Sequence, residues 1–223
     1  MTRSSFQGIR PGPGPGDLQL GPEQPQRRLV LLHGWGADAD DLLELGQELV
    51  EGLADLPVDL VALQAPGLHP AGMGRQWYGL APAPDWAELP NARLALRQRL
   101  EQLGQSVPLR HTALLGFSQG GAMAVDVATS APMPLAALIS CSGYPHPDWQ
   151  PQAEGLPVLL THGNQDPVVP AAACEALEQQ LAAAGAQVSQ QLFDGGHGID
   201  PSLFPLMREF LRRAWERVGS QAP

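Results

Sequence analysis

Residues 113–121 read Ala-Leu-Leu-Gly-Phe-Ser-Gln-Gly-Gly, an apolar run that leads into a Gly-x-Ser-x-Gly motif centred on Ser118. The run is typical of a buried strand, and a helix-like segment follows it. A serine at a sharp strand-to-helix turn needs small residues two positions before and after, because the turn brings those backbones close together. The stretch therefore predicts a nucleophilic Ser118. A glycine-rich turn whose serine merely caps the helix is the alternative interpretation.

Short apolar runs and helical patterns alternate on both sides of this turn. Most of the runs are continuous, as in parallel strands that helices cover on both faces. The alternation predicts an α/β fold with a mainly parallel central sheet, helices on both faces and no separate cap domain. The predicted strands are 29–32, 58–63, 113–117, 135–139, 158–161 and 188–193, and the predicted helices are 40–52, 91–103, 119–130, 171–184 and 201–218.

Two stretches do not follow this alternation. Residues 10–16 read Arg-Pro-Gly-Pro-Gly-Pro-Gly, which offers few side chains to bury and few backbone donors. We therefore expect a flexible Pro/Gly-rich tail over 1–24 and a single domain over 25–220. Residues 64–90 are rich in Gly, Pro and Trp, and a loop this long in a compact domain is usually functional or disordered.

Composition excludes several classes of function. The 223 residues carry a net charge of −10, and all 13 basic residues are arginine. An acidic chain without a basic cluster predicts no nucleic-acid partner, and a chain without lysine can form no Schiff base. The two cysteines, Cys141 and Cys174, are too far apart in sequence for a CxxC site. No apolar run is long enough for a membrane span, so we expect a cytoplasmic protein.

A serine hydroxyl needs a base, and an imidazole is suited to that role near neutral pH. His197 lies in Gly195-Gly196-His197-Gly198, between the last predicted strand and the last predicted helix. Such a loop lets the ring reach over the edge of the sheet, and we predict His197 as the base. Taken alone, His197 fits a buried or merely solvated histidine better than a catalytic base.

The base needs a carboxylate that fixes its tautomer. Asp166 lies in the loop that leaves the strand 158–161, and the order Ser118, Asp166, His197 is the order of α/β-hydrolase triads. Asp194 and Asp200 are rival acids, but Asp194 adjoins the histidine loop and Asp200 is suited to cap the last helix. We predict Asp166.

An oxyanion needs backbone N–H donors, one from the residue after the nucleophile and one from the loop after the first strand. These rules select Gln119 and Trp35, the latter within His33-Gly34-Trp35-Gly36. We expect His33 and His162 to hydrogen-bond their loops rather than to act as bases. No histidine or acidic pair has zinc-ligand spacing on a helix, so the sequence predicts no metal.

Taken together, the motifs resemble the phospholipase/carboxylesterase family of α/β-hydrolases, which includes the acyl-protein thioesterases. The resemblance runs from about residue 29 to residue 211. It rests on seven segments in the family's order: 32–38, 64–66, 77–78, 116–121, 142–144, 162–170 and 195–199.

The resemblance implies a cofactor-free hydrolase of carboxylic esters or acyl thioesters. The family's triad falls on Ser118, Asp166 and His197, and its oxyanion donors fall on Trp35 and Gln119. The implied substrate is a small acyl ester or thioester, with an acylated protein as a second candidate and a homodimer as a candidate assembly. A peptidase or lactone hydrolase with the same triad, and a non-catalytic binding protein on the same scaffold, are the alternatives.

The chain departs from the family pattern at two positions. Trp35 stands where family members usually carry leucine, and Gly79 replaces the acid of the family's Trp-Tyr-Asp or Trp-Phe-Asp sequence. We expect a substrate pocket formed by Trp35, Trp77 and Tyr78. An indole in place of leucine reduces the room near the acyl carbon, which predicts a preference for short acyl chains. Packing of Trp35 into the core is the alternative.

Overall fold

The apolar runs form the centre of one eight-stranded sheet. The structure is a computed structural model that describes residues 8–80 and 82–220. Its strands are β1 (Arg10–Pro11), β2 (Leu18–Leu20), β3 (Arg27–Leu32), β4 (Val58–Leu63), β5 (Gly67–Leu68), β6 (Arg75–Gln76), β7 (Thr112–Phe117), β8 (Ala137–Cys141), β9 (Pro157–Gly163) and β10 (Gln187–Phe193). The sheet order is β1-β2-β4-β3-β7-β8-β9-β10, and β5 and β6 form a separate hairpin.

In the order β4-β3-β7-β8-β9-β10, each strand pairs in parallel with its neighbour. At the other edge, β2 pairs antiparallel with β4, and β1 pairs antiparallel with β2. Successive residues of β3 point to opposite faces, so that Leu29 and Leu31 lie in one apolar cluster and Val30 and Leu32 in the other. Burial on both faces explains why the runs are continuous rather than alternating.

Helices cover both faces of the sheet. They are α1 (Leu43–Glu51), α2 (Leu89–Leu103), α3 (Gln119–Thr129), α4 (Ala172–Ala183) and α5 (Phe204–Ser220). The buried residues of α2, α3 and α4 pack in one cluster, and those of α1 and α5 pack in the other. No helix in the described part of the chain is long and apolar enough to cross a membrane.

The architecture confirms the predicted α/β fold, and the helix boundaries differ from prediction by a few residues. The largest revision is at the last helix, where a short 3-10 turn (Pro201–Leu203) precedes α5. As predicted, the Asp200 side chain caps this end, since its Oδ1 accepts from the Ser202 N–H at 2.8 Å.

The predicted tail over 1–24 is wrong for its second half, and residues 1–7 lie outside the described residues. Leu18–Leu20 pairs antiparallel with Leu60–Ala62, so the sheet begins well before residue 25. Leu20 is fully buried on one face of the sheet. The Gly/Pro stretch before it is a structured turn.

Asp17 explains how a segment so poor in side chains stays folded. Its buried carboxylate accepts from the Gly14 and Gln64 backbone N–H groups, each at 2.8 Å. It also forms an ion pair with Arg99 of α2. The Asp17 carboxylate thus supplies hydrogen-bond acceptors that hold the Pro-rich segment against the rest of the fold.

We expect Asp17→Ala to lower the free energy of unfolding by about 3 kcal/mol, because it leaves Arg99 and two backbone donors without their acceptor. Asp55→Ala is the matched control, since it removes an ion pair with Arg212 in which the aspartate side chain is 61% exposed. Exposed pairs contribute little. Urea denaturation measures both variants, and equal losses would contradict the role given to Asp17.

Candidate active site

Ser118 lies between β7 and α3, at the carboxyl edge of the sheet. Its backbone has φ 52° and ψ −118°, a conformation that non-glycine residues rarely adopt. The flanking glycines make the turn sterically possible. A Cβ on Gly116 would lie 2.2 Å from the Gly120 carbonyl oxygen, and a Cβ on Gly120 would lie 2.1 Å from that of Leu32. The Gly-x-Ser-x-Gly spacing therefore follows from backbone contact.

The Ser118 side chain makes no capping hydrogen bond to α3. Its Oγ lies 2.9 Å from Nε2 of His197 instead. His197 sits in the loop after β10, and its ring also contacts the Phe117 ring with 4.9 Å between centroids. The geometry disfavours the interpretation of Ser118 as a simple helix cap.

Asp166 completes the chain of hydrogen bonds. Its Oδ2 lies 2.7 Å from His197 Nδ1, and its Oδ1 accepts from the backbone N–H groups of Val168 and Val169 at 2.8 and 2.9 Å. Burial raises the pKa of this carboxyl, but the hydrogen bonds from His197, Val169 and Val168 outweigh it and hold the pKa below its usual value. An ionised Asp166 requires the proton on Nδ1 and leaves the Nε2 lone pair directed at Ser118.

The rival acids do not reach His197. Asp194 accepts a hydrogen bond from the Gln165 side chain, and Asp200 is engaged in its cap. The loops that carry Asp166 and His197 are in direct contact, because a Cβ on Gly163 would lie 2.2 Å from the Gly196 carbonyl oxygen. This close approach sets the distance between acid and base.

His33 and His162, two further histidines near the site, have structural partners. His33 Nε2 accepts from the Ala65 N–H at 3.1 Å, so that Nδ1 carries the proton and donates to the Gly34 carbonyl at 2.8 Å. Burial lowers the pKa of His33. His162 donates from Nε2 to the Val169 carbonyl at 2.8 Å and thereby supports the loop of Asp166.

The two predicted oxyanion donors flank Ser118. Gln119 is the first residue of α3, and Trp35 lies in the loop after β3. That loop is adjacent to the serine, since a Cβ on Gly34 would lie 3.6 Å from Ser118 Cβ. Within the described residues, neither backbone N–H has a hydrogen-bond acceptor. Both are available to a ligand.

A cleft of about 740 Å³ opens beside Ser118 and His197. Trp35 lines it with 37% of its surface exposed, so it is not a core residue. Its indole Nε1 donates to the Gln76 side chain at 2.9 Å, which fixes the ring at the cleft wall. The other walls are mostly apolar and are formed by Leu80, Pro84, Trp86, Tyr144, Pro145, His146, Pro147, Val168, Val169, Pro170 and Ala173.

Trp77 and Tyr78 do not line this cleft, contrary to prediction. They are only 4% and 1% exposed. The Gln119 side chain accepts from the Trp77 N–H at 2.9 Å and donates to the Tyr78 carbonyl at 2.7 Å, and the Trp77 indole donates to the His33 carbonyl at 2.9 Å. These three hydrogen bonds keep both residues buried. An anchoring role for a glutamine side chain has no local sequence signal.

The wall residues that the sequence did not reveal come from three segments. Trp86 belongs to the long loop, Tyr144 follows β8, and Val168 follows the triad aspartate. At Gly79, where the family usually has an acid, the N–H donates to the Glu88 carboxylate at 2.7 Å. A carboxylate from the start of α2 thus occupies the space beside Gly79.

The phospholipase/carboxylesterase family profile matches residues 18–215. The chain belongs to this family. Esterase YpfH from Escherichia coli K12 is 29% identical to it over 202 residues, which cover 86% of this chain and 84% of that protein. Acyl-protein thioesterase 1 from Eremothecium gossypii is 32% identical over 120 residues, about half of each chain.

Solved structures agree with this assignment. Esterase PE8 superposes with a TM-score of 0.77 at 31% identity, over 87% of this chain and 98% of that chain. The Bacillus cereus carboxylesterase has a TM-score of 0.78 at 21% identity, over 89% and 93%, and shows the same fold. This family member is a serine hydrolase of the carboxylic ester and thioester class, which disfavours a non-catalytic binding protein.

Proposed function

We propose that Ser118 is the nucleophile, His197 the general base and Asp166 the residue that orients it, in the hydrolysis of small acyl esters or thioesters. The observation that carries this proposal is the unbroken chain Asp166–His197–Ser118, with donor–acceptor distances of 2.7 and 2.9 Å. Both lie within the range expected for a working triad.

In the first half of the reaction, Ser118 Oγ attacks the acyl carbon while its proton moves to His197 Nε2. The carbonyl oxygen becomes an oxyanion, and the N–H groups of Trp35 and Gln119 donate to it. The tetrahedral intermediate collapses as the bond to the leaving oxygen or sulfur breaks, and the leaving group takes the proton from His197.

Water then repeats the sequence on the acyl-enzyme. His197 accepts a proton from the attacking water, and the proton returns to Ser118 when the carboxylic acid leaves. Throughout both halves Asp166 stays ionised and stabilises the imidazolium. The acyl group occupies the cleft lined by Trp35, where apolar walls favour methylene groups at about 0.8 kcal/mol each. A cytoplasmic location, a homodimer and an acylated protein substrate stay predictions.

Asp166→Asn should reduce kcat on the order of 10⁴-fold, because an amide in this place favours the wrong imidazole tautomer. Asp194→Asn is the matched control, since it changes the rival acid, whose side chain accepts a hydrogen bond from Gln165 and does not reach His197. Steady-state kinetics on p-nitrophenyl acetate, with thermal melting to verify folding, measures both. The proposal fails if the two variants lose activity equally or if Asp166→Asn is fully active.

Trp35→Leu should shift the acyl chain-length optimum from short towards longer esters, because the indole that it removes forms a wall of the cleft. The measurement is kcat/KM for p-nitrophenyl esters from two to twelve carbons. Leu94→Ala, an exposed residue of α2 outside the cleft walls, is the control and should keep the wild-type profile. An unchanged profile in Trp35→Leu would contradict this role.

A further inference from the structure

A second hydrogen-bonded chain lies behind the cleft and has no part in the triad. It runs from Asp126 of α3 through His146 and Tyr78 to Tyr144, whose ring lines the cleft. The distances are 2.6 Å from Asp126 Oδ2 to His146 Nδ1, 2.8 Å from His146 Nε2 to the Tyr78 hydroxyl and 2.6 Å between the two hydroxyls. These contacts determine which atom of each pair carries the proton.

Asp126 fixes the first proton. Burial raises the pKa of its carboxyl, but hydrogen bonds from His146, Arg93 and Ser130 outweigh it and hold the pKa below its usual value. Nδ1 of His146 must therefore carry a proton and donate it to the carboxylate. The Arg93 guanidinium, 2.6 Å away, already balances the charge of Asp126. A neutral imidazole leaves the buried cluster without net charge, and its Nε2 is then an acceptor.

The remaining protons follow by counting. Burial raises the pKa of Tyr144 to about 12 and that of Tyr78 further, so each hydroxyl keeps one proton at neutral pH. Tyr78 donates its proton to His146 Nε2. Two oxygens 2.6 Å apart need a proton between them, and only that of Tyr144 is left. Tyr144, which lines the cleft, therefore has no proton left to donate there and can act only as an acceptor.

The cleft offers a substrate few other polar groups. Among the described residues that line it, Ser118, His197, Tyr144 and His146 carry side chains with hydrogen-bond acceptors, and Trp35 and Trp86 each carry an indole N–H, which can only donate. The first two act in the proposed reaction, and both nitrogens of His146 are engaged. Among these side chains, the oxygen of Tyr144 is thus the acceptor left for a substrate. A purely apolar acyl chain would cover it without supplying a partner, which is unfavourable.

We propose that Tyr144 determines substrate specificity by accepting a hydrogen bond from a hydroxyl group on the acyl chain, so that hydroxyacyl esters are preferred over matched esters without a donor. This inference rests on the proposed hydrolase reaction. The chain Asp126–His146–Tyr78 acts through Tyr144 by holding its proton away from the cleft. Tyr78 is accordingly a positioning residue.

The test compares ethyl esters of 3-hydroxyhexanoate and 6-hydroxyhexanoate with their methoxy counterparts, which accept but cannot donate. Wild-type kcat/KM should favour at least one hydroxy ester over its methoxy partner. Tyr144→Phe keeps the ring and should reduce this preference about fivefold, the value of one ordinary hydrogen bond. Leu94→Ala, outside the cleft walls, is the control and should keep the wild-type preference. An unchanged preference in Tyr144→Phe would overturn the proposal.

Tyr78→Phe separates positioning from a merely structural role. It removes the acceptor of the Tyr144 proton, which then becomes free to donate into the cleft. The hydroxy-to-methoxy preference should fall here because methoxy esters are hydrolysed better, and not because hydroxy esters are hydrolysed worse. Loss of activity towards all esters in proportion would contradict the positioning role.

Binding to the Ser118→Ala variant tests the inference without turnover. Calorimetry should show tighter binding of the preferred hydroxy ester than of its methoxy partner, and Ser118→Ala combined with Tyr144→Phe should lose the difference. If discrimination is present in binding while wild-type protein hydrolyses no ester, the proposed reaction fails and the role of Tyr144 stands. If hydrolysis occurs without discrimination, the role of Tyr144 fails alone.

Discussion

The strained backbone of Ser118 is the constraint on which the site depends. A non-glycine residue in such a conformation costs about 1–3 kcal/mol and persists only where the surroundings enforce it. Here the Ser118 N–H donates to the Cys141 carbonyl at 2.8 Å, and the first turn of α3 begins at its carbonyl. Gly116 and Gly120 allow the two backbones to meet. The result is a hydroxyl held above the sheet edge, within reach of the histidine loop.

Two buried carboxylates near the cleft repeat one arrangement. Asp166 and Asp126 each hold the Nδ1–H of a histidine and so fix its tautomer. From Asp166 the chain ends at Ser118, where the proposed reaction takes place. From Asp126 it ends at Tyr144, where we propose that the substrate is selected. The two roles differ because the second ring nitrogen, Nε2, has different partners. Nε2 of His197 lies beside the Ser118 hydroxyl, and Nε2 of His146 lies beside the Tyr78 hydroxyl.

The sequence predicted what depends on local pattern or chain order. The fold followed from continuous apolar runs. The three residues that meet at the site, Ser118, Asp166 and His197, followed from their places in the loops after β7, β9 and β10. What it missed depends on contacts between distant segments. The Gln119 side chain buries Trp77 and Tyr78, and Asp17 organises a Gly/Pro stretch by binding Gln64 and Arg99. No local pattern in the sequence indicates these contacts.

Intact-mass spectrometry after treatment with a fluorophosphonate shows directly whether Ser118 is the activated serine. Among the serines that the structure describes, Ser118 alone hydrogen-bonds a histidine held by a buried carboxylate, and we therefore expect it to be the activated one. We expect one adduct per chain, located by peptide mapping at Ser118 and absent from Ser118→Ala. An adduct that persists in Ser118→Ala, or that maps to another serine of the folded protein, would contradict it.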